Sequence, residues 1–166
     1  ARDLSALPGN PWATTGTHMA RDHNVVNSLY LTPQKLEDTN RERFARYDTI
    51  IATEQRQELM MCDDAEIVLV AFGAASRIAR TAVRAARDEG IKAGLLRPIT
   101  LWPFPTKAVD QVVANGCKAF LSVELNMGQM VQDVRLASDG RVPVSFYGRT
   151  GGVLPRPEEG LEKIEG

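Results

Sequence analysis

Cysteine and histidine are scarce in this sequence, which contains only two residues of each. Cys62 and Cys117 stand far apart and form no CxxC pair, so the chain cannot build a disulfide framework, a zinc site or an iron–sulfur ligand set from its own residues. His18 and His23 are separated by a spacing that does not place both side chains on one face of a helix. We therefore predict no metal site in this chain.

An excess of charge of one sign is also lacking. Twenty Lys and Arg face 21 Asp and Glu, and both signs are mixed along the chain, which argues against a broad basic surface for nucleic acid. No apolar run approaches the roughly 20 residues that span a bilayer, and ARDLSALPGN at the start does not resemble a signal peptide. We expect a soluble, cytoplasmic protein that binds neither nucleic acid nor membrane. Because it begins without methionine in loop-like sequence, we also expect a piece of a longer protein.

The length of 166 residues and the 43% of hydrophobic residues suit one main core. Residues 1–31 are rich in Pro, Gly, Asn and Thr and predict an irregular arm. Thr32 as N-cap, Pro33 in the first turn and apolar residues at helical spacing predict a long amphipathic helix over about 33–60. We thus divide the chain into an arm (1–31), a connecting helix (32–61) and an α/β domain (62–166).

Apolar, β-branched runs alternate with segments of helical spacing from residue 64 onward. Strands are predicted over 66–73, 91–102, 117–125 and 142–148, with helices over about 76–90, 109–113 and 128–138. Ser76 is a candidate cap of the first of these helices. Strands and helices that alternate at this interval predict an α/β fold, a three-layer α/β/α sandwich with a mainly parallel sheet.

Ligands of open parallel sheets usually bind beyond the carboxyl ends of the strands. Four loops follow the predicted strands there: FGAASR, ITLWPFP, ELNMGQ and YGRTGG. Within them we select as residues that contact an interface or an anion Gly73, Ser76, Trp102, Glu124, Asn126, Gly128, Gln129, Arg149, Gly151 and Gly152.

Each of these loops also has a purely structural interpretation. FGAASR offers a helix N-terminus to an anion, but it lacks the GxGxxG and GxxxxGK[ST] spacings, and we favour a plain strand-to-helix turn. Arg149 in GRTGG can approach a phosphate or carboxylate, while the glycines are also typical of a turn with positive φ. Trp102 and Phe104 lie on a proline-rich corner that we expect to be exposed, as a packing wedge at a domain or subunit contact or as a ligand platform.

Glu124 is the best-placed carboxylate, because it ends a strand, where burial would raise its pKa towards a general acid or base. We favour the structural alternative, in which Glu124 accepts hydrogen bonds from loop amides. No serine, cysteine or threonine is paired with a base along the sequence, so we predict no catalytic residue in this chain.

Three segments in a fixed order carry a resemblance: GIKAGLLRPITLWPFP (90–105), ELNMGQM (124–130) and GRTGG (148–152). Through them, residues from about 14 to 152 resemble the second domain of the α subunit of 2-oxoacid:ferredoxin oxidoreductases, in the branch acting on 2-oxoglutarate or branched 2-oxoacids. The resemblance implies a transketolase C-terminal-domain-like fold with a five-stranded, mainly parallel sheet. It also implies an assembled enzyme that converts a 2-oxoacid to an acyl-CoA and CO2 with thiamine diphosphate, magnesium, iron–sulfur clusters, coenzyme A and ferredoxin.

Members of this family bind thiamine on parts that we expect outside this chain. The pyrimidine-binding domain would precede residue 1, and the magnesium and diphosphate motif belongs to the β subunit. The resemblance therefore implies that this chain alone binds no cofactor, is inactive by itself and works with the β subunit, with γ and δ subunits as further candidates and ferredoxin reached through the complex. Glu124, Asn126, Gly128 and Gln129 would form a corner that shapes an inter-domain or inter-subunit surface.

Two other functions stay open from the sequence. The chain could be a stand-alone small α/β module that holds a phosphate or nucleotide on FGAASR and GRTGG, or a domain that serves only oligomerisation through the long helix and the LWPFP corner.

Overall fold

The computed structural model describes residues 3, 5, 16, 18–20, 22–156, 158–160 and 163. The chain divides into two compact units, Ala1–Glu42 and Arg43–Gly166. In the first unit, residues 22–31 form neither helix nor strand, in keeping with the predicted arm; the rest of that arm lies largely outside the described residues. The second unit contains the whole β-sheet.

Helix α1 spans Pro33–Thr53, and none of its residues is buried. The prediction of a helix to about residue 60 is wrong, because Gln57–Met60 form strand β1, which pairs antiparallel with strand β3 (Ala93–Pro98). Leu59 continues the helical spacing in the sequence, yet its side chain packs against the core of the second unit. Pairing with a distant strand overrides local periodicity here.

The remaining elements follow the predicted alternation of strands and helices. They are β2 (Ile67–Val70), α2 (Gly73–Asp88), β3, α3 (Thr106–Ala114), β4 (Ala119–Glu124), α4 (Met130–Ser138) and β5 (Val144–Gly148). The sheet order is β1-β3-β2-β4-β5, and every pair except β1–β3 is parallel. The predicted α/β class with a five-stranded, mainly parallel sheet is confirmed, although β3 is shorter than the predicted 91–102 because it ends at Pro98.

Helices cover both faces of the sheet, because alternate residues of the buried strands point to opposite sides. On one face, Val68 and Phe120 pack with residues of α3 and α4; on the other, Leu69 and Leu121 pack with the alanine-rich side of α2. This arrangement gives the three layers and leaves the loops at the carboxyl edge of the sheet to form a site. Within the described ranges, no helix is both long and apolar enough to cross a membrane.

Candidate functional site

The four predicted loops leave the same edge of the sheet, because β2, β3, β4 and β5 run parallel in register. Two of these loops are joined directly: the amide of Arg149, after β5, donates to the carbonyl oxygen of Glu124 at the end of β4 (3.1 Å). The loops after β4 and β5 therefore form one continuous corner, which we call the strand-end corner (residues 124–129 and 148–152).

Glu124 is buried to 1% exposure, and its carboxylate holds the start of helix α4. Oε2 accepts hydrogen bonds from the amides of Gln129 (3.0 Å) and Met130 (2.9 Å). Oε1 accepts from the amide of Val131 (2.8 Å) and the hydroxyl of Ser122 (3.0 Å). The first amides of a helix have no partners within the helix, so Glu124 caps α4 from the preceding strand, and the negative charge also suits the positive end of the helix dipole.

The environment of Glu124 does not suit a general base. Burial raises the pKa of this carboxyl group, but the amide hydrogen bonds from Gln129, Met130 and Val131, together with the Ser122 hydroxyl, outweigh it, and the pKa is lowered. All four donors stabilise the charged form. The less favoured interpretation, in which burial raises the pKa of Glu124 towards an acid–base role, is therefore wrong, and the favoured one, a carboxylate bonded to loop amides, describes this residue.

Asn126, Gly128 and Gly148 shape the turn above this carboxylate. Asn126 Oδ1 accepts from the amide of Gly128 (2.7 Å), and Gly128 has a φ of 103°, which favours glycine. A Cβ on Gly148 would meet the carbonyl oxygen of Asn126 and the ring of Phe146 inside normal contact distance. The two glycines thus allow the loops after β4 and β5 to approach closely.

The strand-end corner exposes two large apolar side chains. Leu125 and Met127 flank Asn126 and are exposed, Met127 to 81%. The carboxylate of Glu124 is therefore buried, whereas the side chains of Leu125 and Met127 project into solvent. The hydrogen bonds of Glu124 hold the turn that carries them in place.

The loop after β2 shows a plain strand-to-helix turn. Gly73 begins α2 with a φ of 55°, and Ser76 is buried with its hydroxyl bonded to the carbonyl oxygen of Gly73 (2.7 Å). Phe72 is the N-cap residue and makes no side-chain capping bond, so Ser76 does not cap this helix. The hydroxyl of Ser76 is thus already bonded within the turn.

Arg149 is held by an internal carboxylate. Its guanidinium donates to Glu159 Oε1 (2.8 Å), while Glu159 Oε2 accepts from the hydroxyl of Tyr147 (2.7 Å) and the amide of Arg156 (2.9 Å). The amide of Arg156, followed by the Tyr147 hydroxyl, lowers the pKa of Glu159. Gly151 and Gly152 have positive φ, as a glycine turn requires. The YGRTGG loop is thus fastened to the segment that follows it.

Trp102 is 58% exposed on the loop after β3, and its ring meets that of Tyr47 edge-on at 5.5 Å between centroids. Phe104, expected to be exposed beside it, instead packs partly buried against the core. In the described structure, no hydrogen bond or ring contact joins Trp102 to the strand-end corner, so the residues selected from the sequence fall into separate groups. A direct backbone hydrogen bond joins the loops after β4 and β5.

Metal-binding side chains do not converge in the described part of the chain: no group of three or more His, Cys, Asp or Glu residues could hold a metal ion there. Cys62 and Cys117 are both buried with free thiols. Burial raises the pKa of Cys62 to about 11 and also raises that of Cys117, which disfavours the thiolate that metals and redox reactions require.

Three residues of these contact networks were not singled out from the sequence. Ser122 precedes Glu124 by two positions on the same strand, so period-two spacing could have placed them on one face. Glu58 receives hydrogen bonds from Arg80 and Arg97 but fell within the predicted helix. Glu159 lies beyond the motifs and has no local signal that would pair it with Arg149.

Comparison with protein families gives one match over the α/β region. The family described as pyruvate:ferredoxin oxidoreductase core domain II matches residues 65–159. Among curated proteins, the chain is 45% identical over 157 residues to ketoisovalerate oxidoreductase subunit VorB of Methanothermobacter thermautotrophicus, covering 95% of this chain and 44% of that relative. It is 40% identical over 104 residues to 2-oxoglutarate synthase subunit KorA of Methanothermobacter marburgensis, covering 63% of this chain and 28% of the relative.

Two solved structures show the same fold. The 2-oxoglutarate:ferredoxin oxidoreductase from Magnetococcus marinus aligns with a TM-score of 0.68 and 23% identity over 82% of this chain and 24% of its own. A split-gene transketolase in an inactive β4 tetramer aligns with a TM-score of 0.55 and 16% identity over 66% of this chain and 40% of its own. The predicted transketolase-like fold is confirmed. The chain spans less than half the length of the curated relatives reported above.

Proposed function

The chain belongs to the pyruvate:ferredoxin oxidoreductase core domain II family, and from this membership we propose that it is the second domain of the α subunit of a 2-oxoacid:ferredoxin oxidoreductase. The observation that carries the proposal is the family match over 65–159, extended by the VorB similarity over 95% of the chain. The assembled enzyme oxidises a 2-oxoacid to an acyl-CoA and CO2 and passes the electrons to ferredoxin. It thus falls in the EC 1.2.7 class of oxidoreductases.

The substrate that this similarity favours is a branched 2-oxoacid. VorB, named for ketoisovalerate, matches nearly the whole chain, whereas KorA, named for 2-oxoglutarate, matches 63% of it at lower identity. 2-Oxoglutarate is therefore the second candidate substrate.

In the proposed enzyme, other parts of the complex bind the cofactors of the reaction. Thiamine diphosphate with magnesium provides the carbanion chemistry of decarboxylation when bound, and iron–sulfur clusters carry the electrons. The described residues do not fit a magnesium or cluster site, since they offer no metal-binding group and both thiols are buried. The β subunit, with γ and δ subunits as candidates, would hold these groups.

The role of this domain in the complex is to present a rigid contact surface. Support comes from the strand-end corner, where four hydrogen bonds to the buried Glu124 carboxylate order the turn that exposes Leu125 and Met127. Methionine is enriched at protein interfaces, and Met127 presents its side chain to solvent from this ordered loop. We assign this surface to the β subunit.

The enzymatic proposal is tested with the full-length subunit that contains this chain, co-expressed with its β subunit. The assay follows coenzyme A-dependent reduction of ferredoxin with ketoisovalerate, 2-oxoglutarate or pyruvate as substrate. We expect turnover with ketoisovalerate to exceed that with 2-oxoglutarate. A reversed order would overturn the substrate assignment, and no turnover with any 2-oxoacid would overturn the function.

The contact surface is tested by charge insertion at the corner. Met127→Glu places an unpaired charge in the contact and should weaken association with the β subunit by about tenfold or more, because desolvating that charge is costly. Leu136→Glu, at a residue of α4 that is 80% exposed, is the matched control. Sedimentation gives the dissociation constants; equal constants for both variants would place the β subunit elsewhere.

A further inference from the structure

Helix α2 carries a concentration of positive charge that the functions described above do not use. Arg77, Arg80, Arg84 and Arg87 repeat at intervals of three and four residues, and Asp88 is the one acidic residue of the helix. This spacing places the four guanidinium groups along one side of the helix, and we call them the arginine stripe. The helix is strongly positive in a chain whose formal net charge is -1.

Part of the stripe already binds carboxylates. Arg87 donates hydrogen bonds from two guanidinium nitrogens to the carboxylate of Asp64 (2.7 and 3.0 Å). It also donates to the carbonyl oxygens of Met61 and Ala93. Arg80 pairs with Glu58. Arg80 and Arg87 thus both reach carboxylates from this side of α2, and Arg87 does so in the fork geometry that guanidinium favours.

The carboxylates present do not balance the positive charge of this surface. Glu58 is shared between Arg80 and Arg97, which donates to it at 3.0 Å. Arg77 and Arg84 are exposed, and no carboxylate among the described residues pairs with either side chain. Seven positions along a helix separate them by roughly 10 Å. Two free guanidinium groups thus lie on either side of the shared Arg80–Glu58 pair.

We propose that the arginine stripe is a docking surface for an acidic surface of a partner protein. The free groups are spread along two turns on the exposed side of α2, a span that suits a row of carboxylates better than one small anion. Arginine is enriched at protein interfaces, where its planar group forms paired hydrogen bonds with carboxylates. Nucleic acid fits less well, because helix α2 contains no aromatic residue for base stacking and the chain as a whole is not basic.

The test measures binding of a fluorescein-labelled poly-glutamate peptide of about 20 residues to the full-length protein by fluorescence anisotropy at low and high salt. Arg77→Gln with Arg84→Gln removes the two free charges without breaking an ion pair among the described residues. Arg46→Gln with Arg135→Gln removes two exposed arginines from α1 and α4 and gives the same net charge. We expect the stripe variant to weaken binding by about tenfold and the control by less than about twofold, with affinity falling as salt rises.

Equal losses in the two variants, or no binding of the peptide by the unmodified protein, would overturn the proposal. Tighter binding of a labelled single-stranded DNA of about the same length would assign the stripe to nucleic acid instead. Circular dichroism of both variants checks that they fold. The experiment involves no 2-oxoacid and no β subunit, so its result is independent of the proposed enzymatic function.

Discussion

At the scale of single residues, Glu124 shows how burial can serve structure instead of catalysis. Its carboxylate lies in the place where a parallel sheet often presents catalytic groups, yet both oxygens already accept hydrogen bonds from the residues that start α4. A charged acceptor with four donors is held in its ionised form, so it organises the corner and is not available to accept a proton from a substrate.

Replacing this carboxylate by its amide tests that role. In Glu124→Gln, one oxygen becomes an NH2 group that faces backbone amides, so at least one buried donor loses its acceptor. We expect the free energy of unfolding to fall by about 2–4 kcal/mol, since a hydrogen bond to a charged group contributes more than a neutral one. Urea denaturation measures the change. Glu89→Gln, at an exposed position just after α2, is the control and should change stability by less than about 0.5 kcal/mol; equal stability of the two variants would contradict the capping role.

Gly148 is the second residue on which the corner depends. A methyl group in Gly148→Ala would overlap the carbonyl oxygen of Asn126 and the ring of Phe146, so the loops after β4 and β5 must separate. We expect a loss of about 2–3 kcal/mol in the free energy of unfolding. Gly151→Ala is the comparison: it has open space for Cβ but a φ of 65°, which costs about 1 kcal/mol. Thermal and urea denaturation should show a larger loss of stability in Gly148→Ala than in Gly151→Ala. The reverse order would show that the loops after β4 and β5 can separate at little cost in free energy.

At the scale of secondary-structure elements, α2 approaches the sheet through small side chains. Ala75, Ala79, Ala82 and Ala86 are buried against the strands, so the axis of the helix can lie close to the sheet. The same close packing leaves the arginines on the outer side of the helix near the edge strand β1, where Arg80 meets Glu58.

Overpacking this contact should separate helix and sheet. Ala79 is 2% exposed, and Ala79→Leu inserts three carbon atoms where no space is left. We expect the free energy of unfolding to fall by about 1–3 kcal/mol. Ala74→Leu, at an exposed position in the first turn of α2, should change it by less than about 0.5 kcal/mol. Urea denaturation compares the two variants, and a neutral Ala79→Leu would mean that α2 packs more loosely than this contact indicates.

At the scale of the whole molecule, stability should depend on acid pH through carboxylates whose pKa is lowered by folding. Glu124 is one, and Glu66, beside Lys118, and Glu159 are others. A carboxyl group with a lowered pKa in the folded state binds protons more readily when the chain unfolds. Its contribution is therefore fully present above its ordinary pKa near 4.5 and is lost as the pH falls through the lower value of the folded state.

We predict that the free energy of unfolding changes little between about pH 7 and 5 and falls progressively as the pH drops below about 4.5. Urea denaturation at a series of pH values measures this curve. In Glu124→Gln the fall should be smaller, because one of the groups that causes it is gone. Parallel curves for the two proteins would show that Glu124 does not have a lowered pKa.

Much of the fold could be predicted from the sequence because its core elements carry strong local patterns. The buried runs at β2 and β4 and the alanine and valine spacing of α2 indicate their own structure, since burial on both faces of a parallel sheet requires apolar runs. Strand β1 could not be predicted in this way. Its four residues continue the helical spacing that precedes them, and its extended form depends on hydrogen bonds to β3 and on the ion pairs of Glu58.

The candidate site, like the fold, could be predicted from the sequence only in part. The sequence by itself determined the family resemblance, the α/β class and the loops at which a site would lie, because motifs and periodicity are local properties of the chain. Only the tertiary structure decided that Glu124 caps α4, that Arg149 is bound to Glu159 and that two arginines of α2 have no carboxylate partner among the described residues. Each of these facts depends on contacts between residues that are distant in the sequence. Such contacts determine both the charge state of a side chain and whether it is free to bind a partner.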